Sequence, residues 1–205
     1  MCHPYAAIYG VFDDPVDSYK GPHNCISSQQ FYETDLSRGF VRGFIYESVR
    51  GYGPVGTGVI GMQSNRIAWG ESHHQEYRRL FNRMTFLMSI CEDLPEEHNT
   101  VTLDPELKDS DGIPAPKISY AISENTEKML NFSIARATEV LEAAGAKDVF
   151  SKKPIPEGGW HLMGTARMGT DPSRSVVNEW GRSHDVKNLF VVDGSIFVTA
   201  AGVNP

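Results

Sequence analysis

Apolar and polar positions along this chain follow two periods, and each change of period marks an element. Residues 6–12, Ala-Ala-Ile-Tyr-Gly-Val-Phe, are apolar almost without a break and read as a core strand. Asp13-Asp14-Pro15 closes it with turn chemistry. Residues 27–32 and 40–49 are rich in aromatic and β-branched side chains and predict two more strands. The Gly-rich stretch 50–61 predicts a loop or a weak helix. Ser72 suits an N-cap for a helix over 73–82, with Tyr77, Leu80, Phe81 and Met84 at helical spacing. Residues 85–91 predict a strand, and 100–103 alternate Thr with Val and Leu as a half-buried strand does. Residues 104–116 hold Asp109-Ser110-Asp111-Gly112 and predict an exposed hairpin loop, with a strand returning over 117–122. The strongest helical pattern follows. Ser123 caps it, Glu124 and Glu127 favour its positive end, and Leu130, Ile134, Ala137, Leu141 and Ala144 share one apolar face. Gly145 is a natural left-handed stop, and residues 146–157 read as a connection.

This order of elements predicts an α+β fold, an antiparallel sheet with helices on one face. Residues 189–192, Leu-Phe-Val-Val, differ in kind. Being continuously apolar, they suit a strand covered on both faces, as in a parallel sheet. The chain has few strands left to partner it. Together with the abrupt opening on a core strand, this predicts a piece of a longer protein. It would comprise one domain over 1–157 and, over 158–205, an incomplete part of a second, α/β domain.

Composition narrows the function classes. The 205 residues are 40% hydrophobic, with a formal charge of −7, which argues against a general nucleic-acid surface. No run of apolar residues is long enough for a membrane span. Cys2, Cys25 and Cys91 are widely spaced and form no C-x-x-C pair, so three reduced structural thiols are expected. No metal-ligand set is expected either. His73 and His74 would point about 100° apart on a helix, and H-E-x-x-H is absent. His3, His23, His98 and His184 read as structural or exposed. Glu92, Asp93, Glu96 and Glu97 beside Pro95 read as a solvated acidic loop. Gly51-Tyr52-Gly53-Pro54-Val55-Gly56 matches G-x-G-x-x-G, with Glu71 about 20 residues on. Pro54 interrupts the turn and Glu71 ends no second strand, so it is set aside as a nucleotide site.

His161 stands apart. Trp160, Leu162 and Met163 surround it with apolar groups, and Gly164-Thr165 and Met168-Gly169 permit close backbone approach to a ligand. Two readings stand: a satisfied core histidine, or a histidine neutral near pH 7 and able to accept a proton.

Residues 161–169, His-Leu-Met-Gly-Thr-Ala-Arg-Met-Gly, resemble the H-x-x-G-T-x-R-M-G motif of the glucose-methanol-choline flavoprotein oxidoreductases. Val176-Val177-Asn178 resembles the following V-V-D element, with Asn in place of the commoner Asp. Asn188 to Ser195 resembles N-L-x-V-x-D-[AG]-S, and Val203-Asn204-Pro205 matches the V-N-P that closes the family's active site. The resemblance implies FAD-dependent oxidation of the CH–OH group of an alcohol, sugar or polyol, with hydride passing to flavin N5. It casts His161 as the general base and Asn204 as the group that hydrogen-bonds the substrate oxygen, where many relatives carry a second histidine. Asp193, Gly194, Val203, Asn204 and Pro205 would line the FAD. Residues 1–157 resemble the family's substrate domain. The family's FAD fingerprint lies in a portion absent from this sequence, so the chain by itself is expected not to hold FAD. An electron acceptor, quinone or cytochrome, is implied without being specified. The rival reading is a standalone, non-catalytic binding module built on the same sheet, with His161 in its core.

Overall fold

The computed structural model describes residues 1–153 and 161–203. Its centre is a five-stranded sheet. The strands in chain order are β1 (Tyr5–Val11), β2 (Asn24–Ser28), β3 (Phe44–Val49), β4 (Met84–Cys91) and, after two more, β7 (Asp148–Lys152). Their order across the sheet is β2-β3-β4-β1-β7, and every neighbouring pair is antiparallel. Strands β5 (Thr100–Lys108) and β6 (Pro114–Ser119) form a separate two-stranded ribbon.

The antiparallel α+β expectation holds, but helices cover both faces of the sheet rather than one. All seven residues of β1 are buried, and a strand without an exposed face needs cover on both sides. Ala6 and Ile8 join Phe44 and Tyr46 of β3 in a core closed by Met129, Leu130, Ala137 and Leu141 of helix α3 (Glu124–Ala143). Ala7, Tyr9 and Val11 point the other way, into a core with Phe86, Ile67 and Leu80. Helix α1 (Pro54–Gln63) and helix α2 (His73–Leu80) supply that second layer. The glycines that read as a loop are a packing device. A Cβ on Gly61 would lie 2.3 Å from Ile67 Cδ1, so only glycine lets α1 approach this closely. Pro54 sits in the first turn of α1, where its missing N–H costs nothing.

Other elements follow their chemistry. The Ser123 side chain accepts from Thr126 N–H and caps α3, and Gly145 ends it at φ +98°. The Tyr46 hydroxyl donates to the Ser133 carbonyl, tying β3 to α3. Ser72 precedes α2 but makes no capping bond. Strand β5 runs on to Lys108, so the hairpin turn is tighter than the loop expected over 104–116. Its residues are exposed rather than half-buried, because the ribbon lies on no layer. Strand β7 replaces part of the connection expected over 146–157, pairing with β1 from Ala7 to Val11. The boundary at 157/158 falls outside the described residues.

Residues 161–203 contain one regular element, a short 3-10 turn at Gly194–Ile196. The rest is held by isolated bridges, Met168 with Val177, Val177 with Ser183, and Arg182 with Phe190. No sheet forms around 189–192 among the described residues. Phe190 and Val192 are 54% and 84% exposed, so this apolar segment is not covered on both faces as the pattern predicted.

Candidate active site

The segment 161–169 is laid along the turn at 193–196. Gly164 N–H donates to the Gly194 carbonyl at 3.1 Å, Ala166 to Ser195 at 2.8 Å, and Met168 to Ile196 at 2.9 Å. Two of the motifs singled out in the sequence therefore form one backbone unit. Its glycines are required by contact. A Cβ on Gly194 would meet the Leu162 carbonyl oxygen at 2.9 Å, and one on Gly164, at φ +83°, would meet the Phe197 carbonyl oxygen at 3.0 Å. Asp193 caps the turn by accepting Ser195 N–H at 2.8 Å. The Ser195 hydroxyl and N–H hold the Asp193 carboxyl below its ordinary range.

This unit docks on the start of the chain. Met1 N donates to the Met163 carbonyl at 3.1 Å, and Met163 N–H returns a bond to the Met1 carbonyl at 3.0 Å. Met163 is buried. Residues 1–4 then run into β1 beside β4, with Cys91 N–H bonded to the Pro4 carbonyl. The far end of the segment is fixed independently. Arg42 donates to the Thr199 hydroxyl at 2.9 Å, and Gly202 packs so closely on Tyr32 that a Cβ would lie 2.9 Å from its ring.

His161 lies at the junction, partly exposed, with φ +58°. A left-handed histidine is uncommon, and such conformations cluster at functional sites. Its Nδ1 is 2.9 Å from His3 Nδ1, and the two rings meet edge to face with centroids 5.1 Å apart. His3 is 1% exposed. Burial, then the neighbouring His161, holds its pKa below the ordinary range, with the Ala201 carbonyl opposing. Sequence reasoning passed over His3 because 158 residues separate it from His161. The one available signal was an imidazole immediately before an otherwise apolar core strand. Of the other predicted residues, Asp193 and Gly194 lie in the 193–196 turn, and Val203 is 50% exposed at the far end of the segment. Asn204 and Pro205 lie outside the described residues.

The acidic group at 92–97 is not a solvated loop. Glu92 and Asp93 are buried. Asp93 accepts from Cys2 N–H at 3.3 Å, the Tyr120 hydroxyl at 3.0 Å and the Thr126 hydroxyl at 3.1 Å. The residue just after β6, helix α3 and the residues that present His3 thus share one carboxylate. Burial pushes both carboxyls up, and for Asp93 the three donors only partly offset it. Cys91 is buried, with its thiol pushed up to about 12, and the buried Cys2 thiol is raised too. Neither is poised as a nucleophile. Cys25 is exposed, and its thiol donates to the Pro22 carbonyl at 3.7 Å.

An open cavity of about 660 Å³ lies between the start of β5 and residues 163–176, with Met1, Arg167 and Phe197 among its lining. His161 does not line it, so the cavity does not by itself locate the chemistry. Among the described residues no three His, Cys, Asp or Glu side chains converge in a metal-binding group. No helix among them is long and apolar enough to cross a membrane. His184 is structural, with Nε2 near the Ser175 hydroxyl at 3.0 Å and the Gly169 carbonyl at 3.1 Å.

Comparison with known proteins follows the same segment. A family model described as GMC oxidoreductase matches residues 95–205. A 2-methyl-1,2-propanediol dehydrogenase from Mycolicibacterium austroafricanum is 42% identical over 193 residues, covering 93% of this chain and 35% of that protein. A 6'''-hydroxyparomomycin C oxidase from Streptomyces lividus is 39% identical over 118 residues, 57% of this chain and 21% of that protein. The fructose dehydrogenase large subunit of Gluconobacter japonicus is 31% identical over 135 residues, 66% of this chain and 25% of that protein. The chain thus spans about a third of the first relative's length and less of the others.

Proposed function

The chain belongs to the GMC oxidoreductase family, and from that membership we propose that it forms the substrate-side part of an FAD-dependent enzyme oxidising the CH–OH group of an alcohol, sugar or polyol. The observation that supports this most is the site's assembly. His161 is held in a left-handed conformation where the 161–169 and 193–196 segments join, with its Nδ1 engaged and its ring partly exposed. In this reading His161 takes the hydroxyl proton on Nε2, within hydrogen-bond reach of the substrate oxygen. Asn204 would hold that oxygen from the other side, fixing the reacting carbon. Bound FAD would supply the acceptor for the two electrons and the hydrogen leaving that carbon.

The described residues fit one side of such a cofactor. The Asp193–Ser195 turn reaches the surface, Val192 and Val198 close to it in the chain expose apolar side chains at 84% and 52%, and Val203 at the far end of the segment is 50% exposed. Such a surface suits a flat ring system. Asp193, Gly194 and residues 203–205 would form this wall. A pyrophosphate cradle is not found among the described residues: the Gly51–Gly56 turn leads from an antiparallel strand rather than a parallel β–α unit.

Substrate class is drawn from the relatives. Those relatives are named for 2-methyl-1,2-propanediol, 6'''-hydroxyparomomycin C and fructose, so a polyhydroxylated or vicinal-diol donor is the leading class. The test is anaerobic addition of 2-methyl-1,2-propanediol, and of a panel of diols and sugars, to protein purified from the complete gene. Flavin absorbance that bleaches with at least one of them is expected. Protein without flavin, or flavin that no alcohol bleaches, would favour the non-catalytic binding module.

A further inference from the structure

His3 is the buried titratable group closest to the proposed chemistry, and no part of the proposed reaction yet uses it. It is 1% exposed, and its Nδ1 faces His161 Nδ1 at 2.9 Å. Two neutral imidazoles at this distance share one proton, so one ring donates and the other accepts. If His3 donates, the His161 proton must sit on Nε2, and that nitrogen cannot serve as a base. If His161 donates, its Nε2 carries the lone pair.

We propose that His3 is a positioning residue that accepts the Nδ1–H of His161 and so holds the His161 ring in the tautomer whose Nε2 is free to take the substrate proton. This rests on the reading of His161 as the base. Two observations support it beyond the distance. First, His3 cannot swing away. Met1 is doubly bonded to Met163, Cys2 N–H is tied to Asp93, and Pro4 is bonded into the sheet beside β4. Second, His161 is placed by its own backbone at φ +58° and by the Met163 and Gly164 bonds that follow. Both rings are therefore fixed by separate parts of the chain. With the His3 Nδ1 lone pair turned to His161, the His3 proton sits on its Nε2. During turnover the substrate O–H breaks, its proton bonds to His161 Nε2, and the Nδ1–H stays donated to His3, which keeps its own proton throughout.

His3 thus does what a carboxylate does for the histidine of a hydrolase triad, without the negative charge. A neutral orienter sets the tautomer while adding little attraction for the cation that forms. The effect of removing it should be smaller than the roughly 10⁴-fold loss seen when a triad carboxylate is neutralised. About tenfold to hundredfold in kcat is expected, with KM little changed.

The direct test is the tautomer itself, read by long-range ¹H–¹⁵N correlation on ¹⁵N-histidine-labelled protein, with His161→Asn to assign the signals. Wild type should show a protonated Nδ1 and an unprotonated Nε2 on His161. His3→Leu, which removes the acceptor and an orphaned buried nitrogen together, should lose that preference. His3→Asn, whose Oδ1 can stand near the lost Nδ1, should restore the tautomer and most of kcat. A proton on His161 Nε2 in the wild type, or an identical tautomer in wild type and His3→Leu, would overturn the proposal. The wild-type spectrum decides even if a variant fails to fold. Failure of the base reading is seen separately, as turnover that survives loss of His161.

Discussion

Asp93 shows how a single residue can hold the site together without touching the chemistry. Its carboxylate accepts from the backbone of Cys2, next to His3, and from the hydroxyls of Tyr120, just after β6, and Thr126 on α3. Asp93→Ala leaves these donors unpaired and should cost about 1–3 kcal/mol for each that stays buried, measured by urea unfolding. The pH dependence has a definite sign. Burial raises the folded-state pKa, so the folded protein holds this proton more tightly than the unfolded chain does. The stability contributed by this group is greatest at low pH and falls as pH rises from the ordinary value of 3.8 through the raised one. Asp93→Asn does not titrate. The unfolding free energy of wild type minus that of Asp93→Asn should therefore decline over that window and then level off. A difference that grows with pH would mean the three donors outweigh burial. The reversal of the expected solvated loop has the same origin. Glu92-Asp93 reads as a polar surface pair until β4 and the chain's first residues close over it.

Among the elements, α3 is the best determined by local chemistry. Its cap, most of its apolar stripe and its stop at Gly145 were legible, because each depends on residues within one or two turns; Ala144, expected on that stripe, is exposed at the helix end. Met129 and Leu130 are fully buried against β1 and β3. Leu130→Ala should cost about 2–5 kcal/mol and Ser123→Ala about 1 kcal/mol in the same unfolding assay. Helix α1 was obscured by Gly56, Gly58 and Gly61, which weaken any local helical signal. Only Ile67, packed against Gly61, explains why glycine is needed there. Strand β7 was missed because it is short and partly exposed, and its pairing with β1 is set by distant residues. The 161–169 and 193–196 segments were legible as motifs. Their side-by-side packing was not, since it is made by backbone bonds across about 30 residues.

At the scale of the whole molecule, the ordered core and the exposed apolar surface divide the chain. The sheet and its helices bury β1 completely, while Trp180, Phe190 and Val192 stand at 77%, 54% and 84% exposure. Surfaces of this kind mark contact sites, and Phe190 and Val192 lie within 188–195, the segment that resembles one of the family's motifs. The chain accounts for 35% of its 42%-identical relative. The proposed enzyme is therefore read through one wall of its site, where His3, His161 and the 193–196 turn converge. The central claim is that His161 accepts the substrate proton. It is tested most directly by the rate of anaerobic flavin reduction by a saturating alcohol substrate in the full-length enzyme carrying His161→Ala. A fall of about 10²–10⁴-fold, with the oxidised flavin spectrum and flavin content unchanged, is predicted. Reduction at the wild-type rate in that flavin-replete variant would contradict it.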